Sequence, residues 1–151
     1  MSKASSEDQP AKAPVKSVLF VCNQNAVRSP MAEALAKRLS KRRIFVESAG
    51  LIAGALDPFT VAVMAEEKID LSSHKALTVA DVDLTAFDVV IALTDESHAH
   101  LARQKLKSTE SLEHWSIPDP ADNEGNRSQI MDSYRLVRDH LECRIADRFP
   151  F

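Results

Sequence analysis

Short apolar segments alternate with segments of helical spacing along most of this chain, and the alternation limits the folds that it can adopt. Four apolar runs have the length and the β-branched or aromatic content of buried strands. They cover residues 17–21, 44–48, 87–93 and, as a shorter candidate, 112–117. Strands that alternate with helices predict a parallel sheet joined by right-handed crossovers.

The segments between these runs have apolar residues at helical spacing. After residues 17–21, Met31, Leu35 and Leu39 mark a helix that Ser29 is expected to cap and Pro30 to open. Further helices are expected after Asp57-Pro58, over residues 94–104, and along the stripe Ile130, Tyr134, Val137, Leu141 and Ile145. We therefore predict an α/β fold, a three-layer, doubly wound, four-stranded parallel sheet with helices on both faces.

Composition favours one domain and excludes some partners. Of the 151 residues 44% are hydrophobic, enough for one core, which we place in residues 16–151. Residues 1–15 are polar and are expected to form a disordered tail. With a net charge of −3 and no run of about twenty apolar residues, neither nucleic acid nor a membrane is an expected partner.

Two cysteines occur, Cys22 and Cys143, and the N-terminus has no apolar stretch typical of a secretory signal. These features predict a cytoplasmic protein, in which a cysteine in a suggestive setting is more often catalytic than half of a disulfide. Cys143 is expected to be a packed free thiol of the last helix.

The segment after the first strand predicts an oxyanion site. Cys22 ends the strand, and Arg28 follows six positions later, where a helix begins. A loop of this length can turn its backbone N–H groups inward around a tetrahedral oxyanion, in front of the helix N-terminus. The residues expected to bind substrate are Asn23, Gln24, Asn25, Ala26, Val27 and Ser29.

Cys22 and Arg28 suit catalysis on phosphate esters. A guanidinium can hold two equatorial phosphate oxygens, and a cysteine beside an arginine and a helix N-terminus is readily ionised. Ser29 is placed to donate its hydroxyl to the thiolate. Cys22 is therefore the expected nucleophile and Arg28 the expected phosphate clamp.

The leaving oxygen needs a proton, and Asp119 is the expected general acid because it lies between two prolines after the last predicted strand. Asp122 is a second choice, and Asp57 a weaker one because it precedes a helix as a simple cap would. No cofactor or metal is expected, since His98, His100 and His114 lack a matching set of ligands.

These residues resemble the low-molecular-weight protein tyrosine phosphatase family, whose loop reads C-x-G-N-x-x-R-S-P after the first strand. Three later segments also resemble family markers, namely Glu47-Ser48-Ala49-Gly50, Ser73-His74-Lys75-Ala76 and Asp95-Glu96-Ser97. The resemblance covers most of the chain. It implies the same fold and a buried hydrogen-bond network of Asn25, Ser48 and His74 that supports the loop.

The resemblance implies a phosphatase that works through a phosphocysteine. The expected partners are a phosphorylated protein or a small phosphate ester, with inorganic phosphate as product. Two alternatives stay open, an arsenate reductase that uses an external thiol and a non-catalytic module that binds phosphate or another oxyanion.

The chain departs from the family pattern in three ways. Gln24 replaces the family glycine, which predicts a strained backbone or a different turn. Val27 replaces a cysteine that some members have. Ala121 and Asp122 replace the aromatic residues that line the family's pocket. The sequence therefore predicts phosphatase chemistry more strongly than it predicts a preference for phosphotyrosine. Leu51 and Phe59 are candidates for apolar pocket surface instead.

Overall fold

Apolar, β-branched residues form the central strand of the sheet. The computed structural model describes residues 14–151. Residues 1–13, which make up most of the predicted tail, lie outside the described residues. Strand β1 spans Ser17–Cys22, and its residues from Val18 onward are buried. A strand that is apolar on both faces requires cover on both faces, so β1 belongs in the middle of a layered fold.

The other strands are parallel to β1. Strand β2 is Phe45–Gly50, β3 is Val89–Ala92 and β4 is Leu112–His114, in the spatial order β2-β1-β3-β4. In register, Cys22 lies opposite Gly50, so the ends of β1 and β2 meet at one edge. The four-stranded parallel sheet is the predicted one.

The two faces of the sheet carry different helices. Helix α1 spans Arg28–Leu39, α2 spans Pro58–Ala65, α3 spans Asp95–Leu101 and α4 spans Arg127–Arg148. Val18 and Phe20 pack with residues of α1, α2 and α4, whereas Leu19 and Val21 pack with Leu101 of α3. The alternation of side chains along β1 thus produces three layers, as predicted.

Some element ends differ from the sequence prediction. Helix α1 begins at Arg28, so Ser29 lies inside its first turn and does not cap it; Val27 stands at the cap position without a side-chain hydrogen bond. The Ser29 hydroxyl does not cap the helix because it forms a hydrogen bond with the Cys22 sulfur instead. The last strand was predicted over residues 112–117 but ends at His114. Beyond it, backbone hydrogen bonds from Trp115 N–H to the Ala92 carbonyl and from Ile117 N–H to the Leu93 carbonyl continue the pairing with β3.

Within residues 14–151, no helix combines the length and the apolar character needed to cross a membrane.

Candidate active site

The loop between β1 and α1 is held by its carbonyl groups. We call residues 22–28 the Cys22 loop. The N–H groups of Leu51, Ile52, Gly54 and Asp57 donate to the carbonyls of residues 22, 23, 24 and 26, at 2.8–3.2 Å. The segment 51–57 therefore binds the carbonyl side of the loop and leaves its amide side for another partner.

The amide side of the loop is available to an anion. Among residues 14–151, the N–H groups of residues 23–27 have no hydrogen-bond acceptor. Buried N–H groups are nearly always satisfied, by water or ligand if not by protein. Successive free N–H groups in front of a helix N-terminus form an oxyanion nest.

Asn25 fixes the shape of the Cys22 loop from inside. It is fully buried and has a left-handed backbone with φ of 54°, which asparagine tolerates better than most residues. Its amide nitrogen donates to Ser29 Oγ at 2.8 Å and to Ser48 Oγ at 2.9 Å. Its amide oxygen lies 3.1 Å from His74 Nε2 and accepts from Leu77 N–H at 3.0 Å. Asn25, Ser48 and His74 thus form one network, in which Asn25 and Ser48 are buried and His74 is half-buried.

The sulfur of Cys22 is tied to this network. Its Sγ lies 2.9 Å from Ser29 Oγ, and the Cys22 residue is 2% exposed. Ser29 Oγ accepts a hydrogen bond from Asn25, so its own hydroxyl proton can be donated to the sulfur; the other acceptor within reach is the Ala49 carbonyl, at 3.4 Å. A hydroxyl that donates to the sulfur stabilises its ionised form, both when the thiolate attacks and when it is released as a leaving group.

Arg28 and Asp119 meet at the same place. The Arg28 residue is 8% exposed, and its Nη1 donates to the Ile117 carbonyl at 2.8 Å. Its Nη2 lies 3.6 Å from Asp119 Oδ2, while Asp119 Oδ1 accepts from Ala121 N–H. The loop that follows β4 therefore orients both the arginine and the carboxylate.

A cavity of about 480 Å³ opens above the sulfur. Cys22, Arg28 and Asp119 line it together with most of the Cys22 loop. Asp57 and Asp122 also line it, so its lining has three carboxylates, and none of the described residues that line it is aromatic. Asp57 uses its oxygens on Phe59 N–H and on the Tyr134 hydroxyl, as a helix cap would.

The structure answers two of the questions raised by the departures from the family pattern. Gln24 has no positive φ, so its replacement of glycine brings no left-handed strain. Leu51 and Phe59 do not line the cavity; Ala55, Leu56 and Pro58 supply its apolar surface. Phe59 instead packs on Tyr134, with ring centroids 5.3 Å apart.

Cys143 is exposed, which corrects the expectation of a packed thiol. It is not among the residues of α4 that are buried against the core. His98 and His114 stack at 4.4 Å, and His114 Nε2 lies 3.0 Å from Asp95. Among residues 14–151, no three His, Cys, Asp or Glu side chains are placed to hold a metal ion.

Sequence reasoning missed two residues that support the site. Glu33 accepts a short hydrogen bond from Ser48 Oγ, and it lies one helical turn and a half after Arg28 with no motif around it. Thr94 donates to Asn23 Oδ1 at 2.8 Å and caps α3 with Ser97. The pattern of a threonine followed three residues later by serine was the available indication of that cap.

Comparisons with known proteins agree with this geometry. The family model described as "Low molecular weight phosphotyrosine protein phosphatase" matches residues 17–148. A glutaredoxin arsenate reductase of Synechocystis sp. is 32% identical over 133 residues, 88% of this chain and 95% of that protein.

Solved structures give the same result. The tyrosine phosphatase amsI of Erwinia amylovora has a TM-score of 0.75 at 26% identity and covers 93% of this chain and 94% of its own. The YwlE arginine phosphatase of Geobacillus stearothermophilus has a TM-score of 0.73 at 25% identity, with 88% and 89% covered. This chain therefore belongs to the low molecular weight phosphotyrosine protein phosphatase family, whose enzymes include phosphatases and arsenate reductases.

Proposed function

We propose that this chain hydrolyses phosphate esters through a phosphocysteine formed on Cys22. The observation that carries the proposal is the convergence of the Cys22 sulfur, the Arg28 guanidinium and the Asp119 carboxylate on one cavity above a loop of free N–H groups. Nucleophile, phosphate clamp and proton donor are the three parts that displacement at phosphorus requires.

In the proposed reaction, the Cys22 thiolate forms a bond to phosphorus while the bond to the leaving oxygen breaks. Asp119 gives its proton to that oxygen, and the N–H groups of the Cys22 loop with Arg28 stabilise the three equatorial oxygens. A water then attacks the phosphocysteine, Asp119 takes its proton, and Cys22 leaves as thiolate with help from Ser29. Inorganic phosphate is released.

The test is hydrolysis of two aryl phosphates that differ in their need for an acid. Cys22→Ser should abolish turnover of both. Asp119→Asn should lower kcat/KM, which reports the steps up to formation of the phosphocysteine, by about 100-fold for phenyl phosphate and by much less for p-nitrophenyl phosphate, because nitrophenolate leaves without a proton. Asp122→Asn is the matched control, and its effect should be smaller on both substrates.

Either of two results contradicts the proposal. A wild-type chain as inert as Cys22→Ser would indicate an oxyanion-binding module without catalysis. A larger loss in Asp122→Asn than in Asp119→Asn would move the role of the acid to Asp122.

The lining of the cavity bears on the substrate. Three carboxylates belong to it, and none of the described residues that line it is aromatic, so a positively charged leaving group fits it better than a phenol. One solved relative carries the name of an arginine phosphatase. We therefore propose that a phosphoarginine peptide is a better substrate than a phosphotyrosine peptide of the same sequence, as measured by kcat/KM. In phosphoarginine the P–N bond breaks, and Asp119 gives its proton to the leaving guanidine nitrogen instead of an oxygen.

Arsenate reduction is the second candidate, because a relative with 32% identity is named a glutaredoxin arsenate reductase. Reduction of arsenate to arsenite takes two electrons from two thiols, which become a disulfide, with release of water. Cys22 is the cysteine of the cavity lining, and Cys143 lies elsewhere on α4, so the electrons would come from an external thiol. Arsenate-dependent oxidation of glutathione with glutaredoxin measures this activity separately from hydrolysis. Cys22→Ser should abolish the oxidation, and Cys143→Ser should leave it unchanged.

A further inference from the structure

A second and larger cavity lies apart from the Cys22 site. It measures about 770 Å³ and shares no lining residue with the cavity above Cys22. The last turns of α1, the turn that follows, β2 and residues 68–77 surround it. We call it the basic groove.

Positive charge dominates the lining of the basic groove. Its six cationic side chains are Lys37, Arg38, Lys41, Arg42, Lys68 and Lys75. They outnumber the three carboxylates, which belong to Glu33, Glu47 and Asp70. The whole chain has a net charge of −3, so this concentration of cations opposes the overall balance.

Most of these cations have no carboxylate partner in the part of the chain that the structure describes. Lys37 pairs with Glu33, and Arg38 pairs with Glu67 and Glu142. Among residues 14–151, no carboxylate lies within 4.0 Å of the other four, which are Lys41, Arg42, Lys68 and Lys75. They come from three separate segments of the chain, so the end of one helix does not explain their convergence.

Backbone geometry does not explain them either. Lys41, Arg42 and Lys68 have left-handed backbones, with φ of 54°, 58° and 61°. Glycine or asparagine fits such positions at lower cost than a long side chain does. The turns would form more easily with glycine or asparagine at these positions. The positive charge of the three side chains is therefore explained by something other than the conformation of the turns.

The floor of the basic groove is connected to the nucleophile. Glu33 lines the groove, binds Lys37 through one oxygen and accepts from Ser48 Oγ through the other. Ser48 accepts from Asn25, and Asn25 donates to Ser29, whose hydroxyl contacts the Cys22 sulfur. An unbroken series of hydrogen bonds thus runs from the groove to the active site.

We propose that the basic groove binds a soluble polyphosphate-type anion. Four cations from three segments, without a carboxylate partner in residues 14–151, line a cavity of about 770 Å³, and linked phosphate groups can contact several such cations at once. A bound polyanion also competes for Lys37 and leaves the Glu33 carboxylate without its cation. The added negative charge behind the Cys22 loop opposes both the thiolate and an anionic substrate, so the ligand inhibits without competing for the active site.

The binding test uses the full chain and inorganic tripolyphosphate as the probe. In a titration followed by backbone NMR, amide signals of residues 37–42 and 68–75 should shift together on one binding curve. In Lys41→Gln/Lys68→Gln that curve should move to about tenfold higher concentration. Arg103→Gln/Lys105→Gln removes two exposed cations elsewhere and should leave it within about twofold.

Three outcomes would overturn the binding site. Shifts confined to residues 22–28 would mean that tripolyphosphate binds only at the active site. Equal weakening in the two double variants would mean non-specific attraction to charge. An affinity for tripolyphosphate that does not change between about 50 and about 300 mM salt would exclude an electrostatic site.

The effect on activity rests on the proposed hydrolysis and is tested separately. Tripolyphosphate should lower kcat for p-nitrophenyl phosphate in the wild type, and this part of the inhibition should disappear in Lys41→Gln/Lys68→Gln. Inhibition that only raises KM, or that persists unchanged in that variant, would overturn the link to Cys22. If the chain had no hydrolytic activity, the NMR result would still decide the binding site.

Discussion

At the scale of single residues, Asn25 holds the Cys22 loop in shape through more side-chain contacts than its neighbours in the loop make. It is fully buried, it adopts a left-handed backbone, and its amide contacts Ser29, Ser48, His74 and the Leu77 N–H. Asparagine fits because it tolerates that backbone and offers both donors and an acceptor. The identity of Asn25 was readable from the motif, whereas the Leu77 contact, 52 residues away, was not.

Replacement of Asn25 should separate its backbone role from its hydrogen bonds. Asn25→Gly and Asn25→Ala both lose the amide contacts, at a cost of about 2 to 3 kcal/mol. Alanine should cost about 1 kcal/mol more than glycine because its Cβ disfavours the left-handed conformation. Urea unfolding of the two variants measures the difference, and an alanine variant as stable as the glycine variant would show that the backbone at residue 25 has changed.

At the scale of elements, the end of β2 determines how closely the Cys22 loop can approach the sheet. Gly50 lies opposite Cys22 in register, and a Cβ built there would stand 2.6 Å from Asn25 N and 2.5 Å from Ile52 O. Both neighbours are backbone atoms that cannot rotate away. The glycine at the end of this strand is therefore required by close backbone contact and not by a turn.

Gly50→Ala should displace the loop and reduce the proposed phosphatase activity by about tenfold or more, since small misplacements of a catalytic group are costly. Gly54→Ala is the matched control. A Cβ at residue 54 would meet mainly the Gln24 side chain, at 2.8 Å from Oε1, and that side chain can move. The measurement is kcat/KM for p-nitrophenyl phosphate; equal losses in the two variants would contradict this explanation.

At the scale of the whole molecule, helix α4 closes the fold over the segment that holds the Cys22 loop. The Tyr134 hydroxyl donates to Asp57 Oδ2 at 2.6 Å, across 77 residues of sequence, and Asp57 N–H donates to the Ala26 carbonyl. The last helix is thereby connected to the loop through one intermediate residue. Burial, with the hydrogen bond to Asp57, raises the pKa of Tyr134 well above its ordinary value.

The raised pKa of Tyr134 predicts a loss of stability at alkaline pH. Above about pH 10 the unfolded chain releases the phenol proton while the folded chain keeps it, so the free energy of unfolding falls as pH rises. Tyr134→Phe should cost about 1 kcal/mol at neutral pH. This deficit should shrink at about pH 10.5, because the variant has no phenol to titrate. A deficit of the same size at both pH values, measured by urea unfolding, would contradict the assignment.

The order of strands and helices was predictable because periodicity and apolar content are local properties. The element ends were less so. Ser29 has the residue type of a helix cap, yet its hydroxyl belongs to Cys22, and only the folded loop shows which partner it takes. Cys143 was expected to be packed and is exposed, because its position on α4 relative to the core depends on how the helix lies against the sheet.

The sequence by itself determined the layered α/β fold, the Cys22 loop and the pairing of a cysteine with an arginine at a helix start, because each follows from residues close together in the chain. The tertiary structure alone decided that Gln24 is unstrained, that Glu33 supports Ser48, and that cations from three segments converge on one groove. Those features depend on distances between residues far apart in sequence. Such distances are set only when the helices have packed on the sheet.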